Sequence, residues 1–118
     1  MESNLIQKWF AELKRVWLEK DIEGVKKLLS EEFEYYENPF ELPLTSWTEV
    51  KKVWEEINGQ DILVLDITVL IDKDNIGVAC YDFICKGIQR QEKHTKGAFY
   101  VKLDSVGRAV EFRQWWNG

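Results

Sequence analysis

The chain has 118 residues, 45% hydrophobic and 14% aromatic, with a formal net charge of −5 from 16 basic and 21 acidic side chains. That length suits one domain, spanning 1–118, and leaves no room for a second core. An acidic balance without a basic stripe argues against nucleic acid and against an anionic membrane surface, and no apolar run approaches the roughly 20 residues of a spanning helix.

Met1-Glu2-Ser3-Asn4 lacks a signal-peptide layout and leads into an amphipathic helix. Leu5, Ile6, Trp9, Phe10, Leu13, Val16 and Trp17 recur at intervals of three and four, which predicts a helix over about residues 3–19. Asp21 is placed to cap a second, short helix with Ile22, Val25, Leu28 and Leu29 on one side. Phe33-Glu34-Tyr35-Tyr36 reads as a short strand, and Asn38-Pro39 with Pro43 marks a loop. Ser46 with Glu49 three residues on is a capping box for a third helix, whose apolar face is Val50, Val53, Trp54 and Ile57. Asn58-Gly59 ends it.

Beyond Gly59 the period changes to alternation. Leu63, Leu65, Ile67, Val69 and Ile71 share one face of a strand from Asp61, and Asp72-Lys73-Asp74-Asn75 is a turn. A four-residue turn sets Ile71 opposite Ile76, Val69 opposite Val78, Ile67 opposite Cys80 and Asp82 opposite Leu65. Asp82 is then a carboxylate on an apolar face, with its pKa raised by desolvation; an odd-length turn would put it outside instead. The last hairpin, turning at Asp104-Ser105-Val106-Gly107, sets Val101 opposite Val110, Phe99 opposite Phe112 and Tyr100 opposite Glu111. Gln114 and Trp116 follow Phe112 on the inner face. Helices first and strands after give an α+β fold: three N-terminal helices packed on a strongly curved antiparallel sheet.

Cys80 and Cys85 fall on one strand, five positions and so roughly 16 Å apart, on opposite faces. They cannot pair within the chain, and free thiols fit a reducing, cytoplasmic setting. No Cys/His spacing suits zinc, and His94, the one histidine, falls off the buried face. Neither a metal nor a cofactor is expected.

The succession Trp17-Leu18-Glu19-Lys20-Asp21, Ile22-Glu23-Gly24-Val25, Leu28-Leu29-Ser30-Glu31-Glu32, with the closing Gly107-Arg108-Ala109-Val110-Glu111-Phe112-Arg113-Gln114-Trp115-Trp116, resembles the nuclear transport factor 2-like superfamily and its SnoaL-like branch. The resemblance covers essentially the whole chain. It implies a cone-like α+β barrel whose mouth holds a small molecule, and homodimers paired through the outer sheet face. Tyr100, Glu111, Arg113 and Trp115 would form that face here. The superfamily hosts isomerases, dehydratases, hydrolases and non-enzymatic binders, so membership alone assigns no activity.

Measured against ketosteroid isomerases of this fold, the catalytic positions hold Asn38, Leu13 and Phe99, none of which can do that chemistry. Against limonene-epoxide hydrolases, Tyr36-Glu37-Asn38 matches a water-holding Tyr-x-Asn and Asp82 matches one carboxylate. Cys80 and Gln114 stand where an Arg and the second carboxylate are needed. A half-complete set argues for a related pocket and against the same reaction. Tyr36 and Asn38 equally read as loop anchors, and Trp17, Trp54 and Trp116 as core packing.

The expectation is a SnoaL-like domain that binds a small, mostly apolar molecule. Its pocket would be lined by Trp17, Tyr36, Trp54, Phe99, Phe112 and Trp116 and made polar by Asn38, Asp82 and Gln114. Asp82 is the catalytic candidate for a cofactor-independent isomerase, dehydratase or hydrolase. A non-catalytic ligand sensor, a dimeric interaction module and a divergent epoxide hydrolase are the alternatives.

Overall fold

A computed structural model describes residues 5–38, 40–87 and 91–117. The expected helix start at residue 3 and the loop's Pro39 lie outside the described residues. Three helices precede the main sheet strands: α1 (Leu5–Glu19), α2 (Ile22–Leu28) and α3 (Trp47–Glu55), with strand β1 (Leu29–Tyr36) between the second and third. A short 3-10 turn, Glu56–Gly59, leads into β2 (Asp61–Lys73), β3 (Ile76–Lys86), β4 (Glu92–Leu103) and β5 (Ala109–Asn117).

The caps are the ones the sequence encodes. Asp21 accepts a hydrogen bond from the Gly24 amide at 3.0 Å and opens α2. Ser46 Oγ accepts from the Glu49 amide, and the Glu49 carboxylate returns to Ser46 Oγ and the Thr45 amide. Satisfying these orphan amides is worth about 1 kcal/mol per cap.

The five strands form one open, curled sheet in the order β1-β5-β4-β3-β2. It is mixed: β1 runs parallel to β5, and the other pairs are antiparallel. Its concave face carries Leu65, Ala79, Tyr81, Phe83, Phe99, Val101 and Phe112, which pack on Ile6, Trp9, Phe10, Leu13 and Val16 of α1. A Cβ at Gly77 would meet Ile6 Cγ2 at 2.6 Å, so glycine there lets α1 seat directly on β3. Full burial of each large apolar side chain contributes roughly 1.5–3 kcal/mol.

The β2–β3 hairpin differs from expectation. Its turn has two residues, Asp74 and Asn75, both left-handed with φ of 56° and 63°, and Lys73 pairs with Ile76. Asx residues tolerate that conformation, and a two-residue turn of this hand matches strand twist. Register irregularities between Val69 and Ile71, and again between Ile62 and Val64, then shift the pairing. Ile67 lies opposite Tyr81, Val69 opposite Ala79 and Leu65 opposite Phe83. These extra residues bend the strand, which helps curl the sheet. Ile71, expected inside, is 53% exposed.

In the β4–β5 hairpin Val101 pairs with Phe112, Phe99 with Gln114 and Tyr100 with Arg113. That is two residues away from the expected register. An even shift preserves the faces, so Phe99, Phe112 and Gln114 still point inward. No helix among the described residues is long and apolar enough to cross a membrane.

Candidate functional site

The aromatic residues of the concave face do not close completely. Between α1, α3 and the sheet they leave a cavity of about 100 Å³ lined by Leu13, Trp17, Tyr35, Val53, Trp54, Ile57, Phe99, Phe112 and Gln114. Its walls are set by ring-on-ring packing. Trp17 and Trp54 meet edge-on at 5.4 Å, and Phe99 and Phe112 lie 5.4 Å apart. Behind them, Tyr81 stacks on Phe99 at 4.2 Å and Phe83 packs on Trp17 at 5.0 Å. Such pairs contribute about 0.5–1.5 kcal/mol each beyond their buried area, and they stiffen the cavity rim.

Its polar groups are few. Trp54 Nε1 donates to Tyr35 Oη at 3.1 Å, a buried bond joining α3 to β1. Burial raises the Tyr35 pKa well above the ordinary phenol value, against the opposing hydrogen bond from Trp54, so the hydroxyl stays protonated. Trp17 Nε1 is screened from solvent and has no hydrogen-bond partner among the described residues. Gln114 is half-buried and brings an amide to the wall. Tyr35 is the one titratable side chain in this lining.

Five of the expected lining residues therefore converge: Trp17, Trp54, Phe99, Phe112 and Gln114. The other four lie elsewhere. Tyr36 points to the outer face, where the Arg113 guanidinium sits 4.0 Å from its ring centroid and its hydroxyl bonds Glu34 at 3.1 Å. Its neighbour Tyr35 lines the cavity instead. Phe33 and Tyr35 share a strand parity and both are buried, a signal present in the sequence. Asn38 accepts from the Phe40 amide at 2.9 Å, the loop-anchoring role, and shares an open cleft of about 630 Å³ with Phe40, Glu41, Trp115 and Trp116. Trp116 is 56% exposed, with Nε1 donating to the Glu37 carbonyl at 3.3 Å.

Asp82 pairs with Asp66 on one side and Lys96 on the other, on the face of β3 opposite to buried Tyr81 and Phe83. The expected Leu65–Asp82 pairing is corrected by one residue, and a one-residue slip reverses every side chain. Asp82 is only partly covered, and its Oδ1 has no partner among the described residues. Cys80, also on the outer face, is exposed and Cys85 is buried, both as free thiols. His94 is exposed beside Glu92. No metal-holding group of His, Cys, Asp or Glu occurs among the described residues.

A larger depression, of about 710 Å³, opens on the surface between Lys26, Lys27, Trp47 and Arg108. Charged and hydroxyl side chains make up most of its lining, whereas core residues wall most of the aromatic cavity.

No protein-family model matches the sequence, and no curated protein does either. Solved structures do match. A candidate polyketide cyclase from Silicibacter sp. superposes with a TM-score of 0.84 at 12% identity, over 99% of this chain and 92% of that one. The epoxide hydrolase/cyclase-like enzyme SalBIII, described in pyran ring formation in the polyether salinomycin, gives 0.82 at 11% identity, over 94% and 89%. An LEH-like epoxide hydrolase from M. tuberculosis gives 0.74 at 12% identity, over 93% and 80%. Three helices on a curled five-stranded sheet give the chain the fold of these structures, the nuclear transport factor 2-like cone.

Proposed function

We propose that this chain binds a small, mostly apolar molecule in the aromatic cavity between α1, α3 and the sheet, and that it holds the molecule without acid–base chemistry. The observation that carries this reading is the composition of the wall. Aromatic and aliphatic groups surround a void whose polar groups are a phenol, two indole N–H groups and an amide. General acid–base catalysis near neutral pH needs a carboxylate, imidazole or similar group with a pKa near the operating pH. Tyr35, pushed further up by burial, is not such a group. Opening an epoxide or closing a ring, the chemistry named for two of the structural neighbours, calls for proton donors and acceptors that this wall does not offer.

The volume limits the ligand. About 100 Å³ is below the roughly 300–1,000 Å³ of sites for drug-sized molecules. A short-chain compound fits, or one end of a larger molecule.

Ligand-induced stabilisation tests the reading. A binder of the folded state raises its melting temperature by mass action. Small apolar compounds are expected to raise the melting temperature of the wild-type chain and to lose that effect in Val53→Phe, which fills the void. Equal shifts in both proteins would place the binding elsewhere.

A second reading concerns the outer face of the sheet. Trp115 is 40% exposed there and pairs with Ala98, while Arg113 next to it stacks on Tyr36 and bonds Glu111 at 2.5 Å. An exposed aromatic beside an ordered polar cluster suits pairing of two copies through this face.

A further inference from the structure

We infer that the cavity selects a neutral ligand bearing an acceptor oxygen (a ketone, ester or ether), which takes the hydrogen bond of Tyr35. The inference rests on the cavity-binding reading above and adds the chemistry of the ligand. It follows from counting donors and acceptors in the wall.

Trp54 Nε1 carries a single hydrogen and directs it to Tyr35 Oη at 3.1 Å. The phenol oxygen is thus engaged as an acceptor, and its own proton must point away from the indole. Among the described residues the one side-chain hydrogen bond of this hydroxyl is the one it accepts from Trp54. Burial holds the proton on the oxygen. The hydroxyl is therefore a preset donor: α3 fixes its position from one side, and β1 carries it from the other. Tyr35 also packs its ring 5.0 Å from Phe112, which restrains the side chain further.

A second spare donor stands nearby. Trp17 Nε1 is shielded from solvent and unpartnered among the described residues, on a ring that forms the same wall. Against these two donors, Gln114 brings the one side-chain carbonyl among the lining residues. The wall has more donors than acceptors.

That surplus separates ligand classes. A hydrocarbon fills the space and leaves both donors unpaired, which buried polar groups tolerate poorly. A carboxylate finds donors but no cation, because no Lys, Arg or His lines the void, and an unpaired buried charge is costlier still. An ammonium finds no carboxylate in the wall. A ketone, ester or ether satisfies a donor without bringing charge, and its carbon skeleton packs on Leu13, Ile57, Phe99 and Phe112. At about 100 Å³ the void is smaller than the roughly 150 Å³ that admits benzene, so it takes the oxygen-bearing end of a ligand and leaves the rest of the ring or chain at its open side.

The test compares three probes that share a five-membered carbon ring on the full chain: cyclopentanone, cyclopentane and cyclopentanecarboxylate. The indole N–H signals of the tryptophans are followed by two-dimensional NMR during titration. Cyclopentanone is expected to shift the Trp17 and Trp54 signals saturably, with the other two probes at least about tenfold weaker, the worth of one hydrogen bond. Tyr35→Phe should weaken cyclopentanone by about the same factor and leave cyclopentane unchanged. Equal binding of ketone and hydrocarbon by the wild type, or undiminished ketone binding by Tyr35→Phe, overturns the donor assignment while leaving the cavity as a binding site. If no probe moves either indole signal, the cavity-binding reading fails, and this inference with it.

Discussion

Asp82 stands directly across from Asp66 on the outer face of the β2–β3 hairpin, with Lys96 on its other flank. Two carboxylates in directly opposed cross-strand positions repel, and the lysine offsets part of that cost. Asp66→Lys should therefore raise stability by about 0.5 kcal/mol, and Asp82→Asn should be neutral or slightly stabilising. By contrast, Phe83→Ala, one position along and facing the core, should cost about 3–5 kcal/mol. Urea denaturation midpoints of the three variants check the register. A large loss in Asp82→Asn would contradict it.

At Gly97 the backbone of β5 leaves no room for a side chain on β4. A Cβ there would lie 1.9 Å from the Trp115 carbonyl oxygen and 2.9 Å from Trp116 Cα, both backbone atoms that cannot swing aside. Gly97→Ala is expected to destabilise by at least about 1–3 kcal/mol, the usual cost of overpacking, and to loosen the end of β5. Amide hydrogen exchange of residues 114–116 reads the second effect. Unchanged protection would refute the close approach.

Two buried tyrosines predict an alkaline instability. Burial pushes the Tyr81 hydroxyl up to about 12 and raises Tyr35 as well. In the unfolded chain both ionise near their ordinary value of about 10. Between that value and the folded pKa the native state binds more protons than the unfolded state, so stability falls as pH rises. It is fully present below about pH 10 and declines by about 1.4 kcal/mol per pH unit for each hydroxyl above it. The decline should be shallower in Tyr35→Phe. Denaturation midpoints between pH 9 and about 11.5 test this, and parallel slopes would contradict it.

The outer face makes a separate prediction. Trp115→Glu puts a charge on the proposed pairing surface while leaving the core untouched. Dimers, if held through Trp115 and the Arg113–Tyr36 stack, should dissociate to monomers in sedimentation experiments. Unchanged association would remove this face from the account.

The architecture was legible because its signals are redundant. Helical spacing from Leu5 to Trp17, caps at Asp21 and Ser46, and alternation after Gly59 each specify an element without help from the others. The site was less legible because it hangs on single-residue parity. The β4–β5 hairpin deviates from the expected pairing by two residues, which leaves Phe99, Phe112 and Gln114 inside. The β2–β3 hairpin combines a two-residue Asp74-Asn75 turn with strand irregularities, and the net displacement at Asp82 is one residue. Bulges carry no sequence mark strong enough to locate them in Leu63 or Leu70 beforehand. The Tyr35–Tyr36 pair shows the same sensitivity: a motif spacing favoured Tyr36, whereas alternation with Phe33 would have favoured Tyr35.

Locating a bound probe addresses the ligand site most directly. A crystal of the chain soaked with cyclopentanone should show density enclosed by Trp17, Trp54, Phe99 and Phe112, with its oxygen within hydrogen-bond distance of Tyr35. Density confined to the open cleft of Phe40, Trp115 and Trp116, with the inner cavity vacant at saturating ligand, would contradict a binding site built into the core.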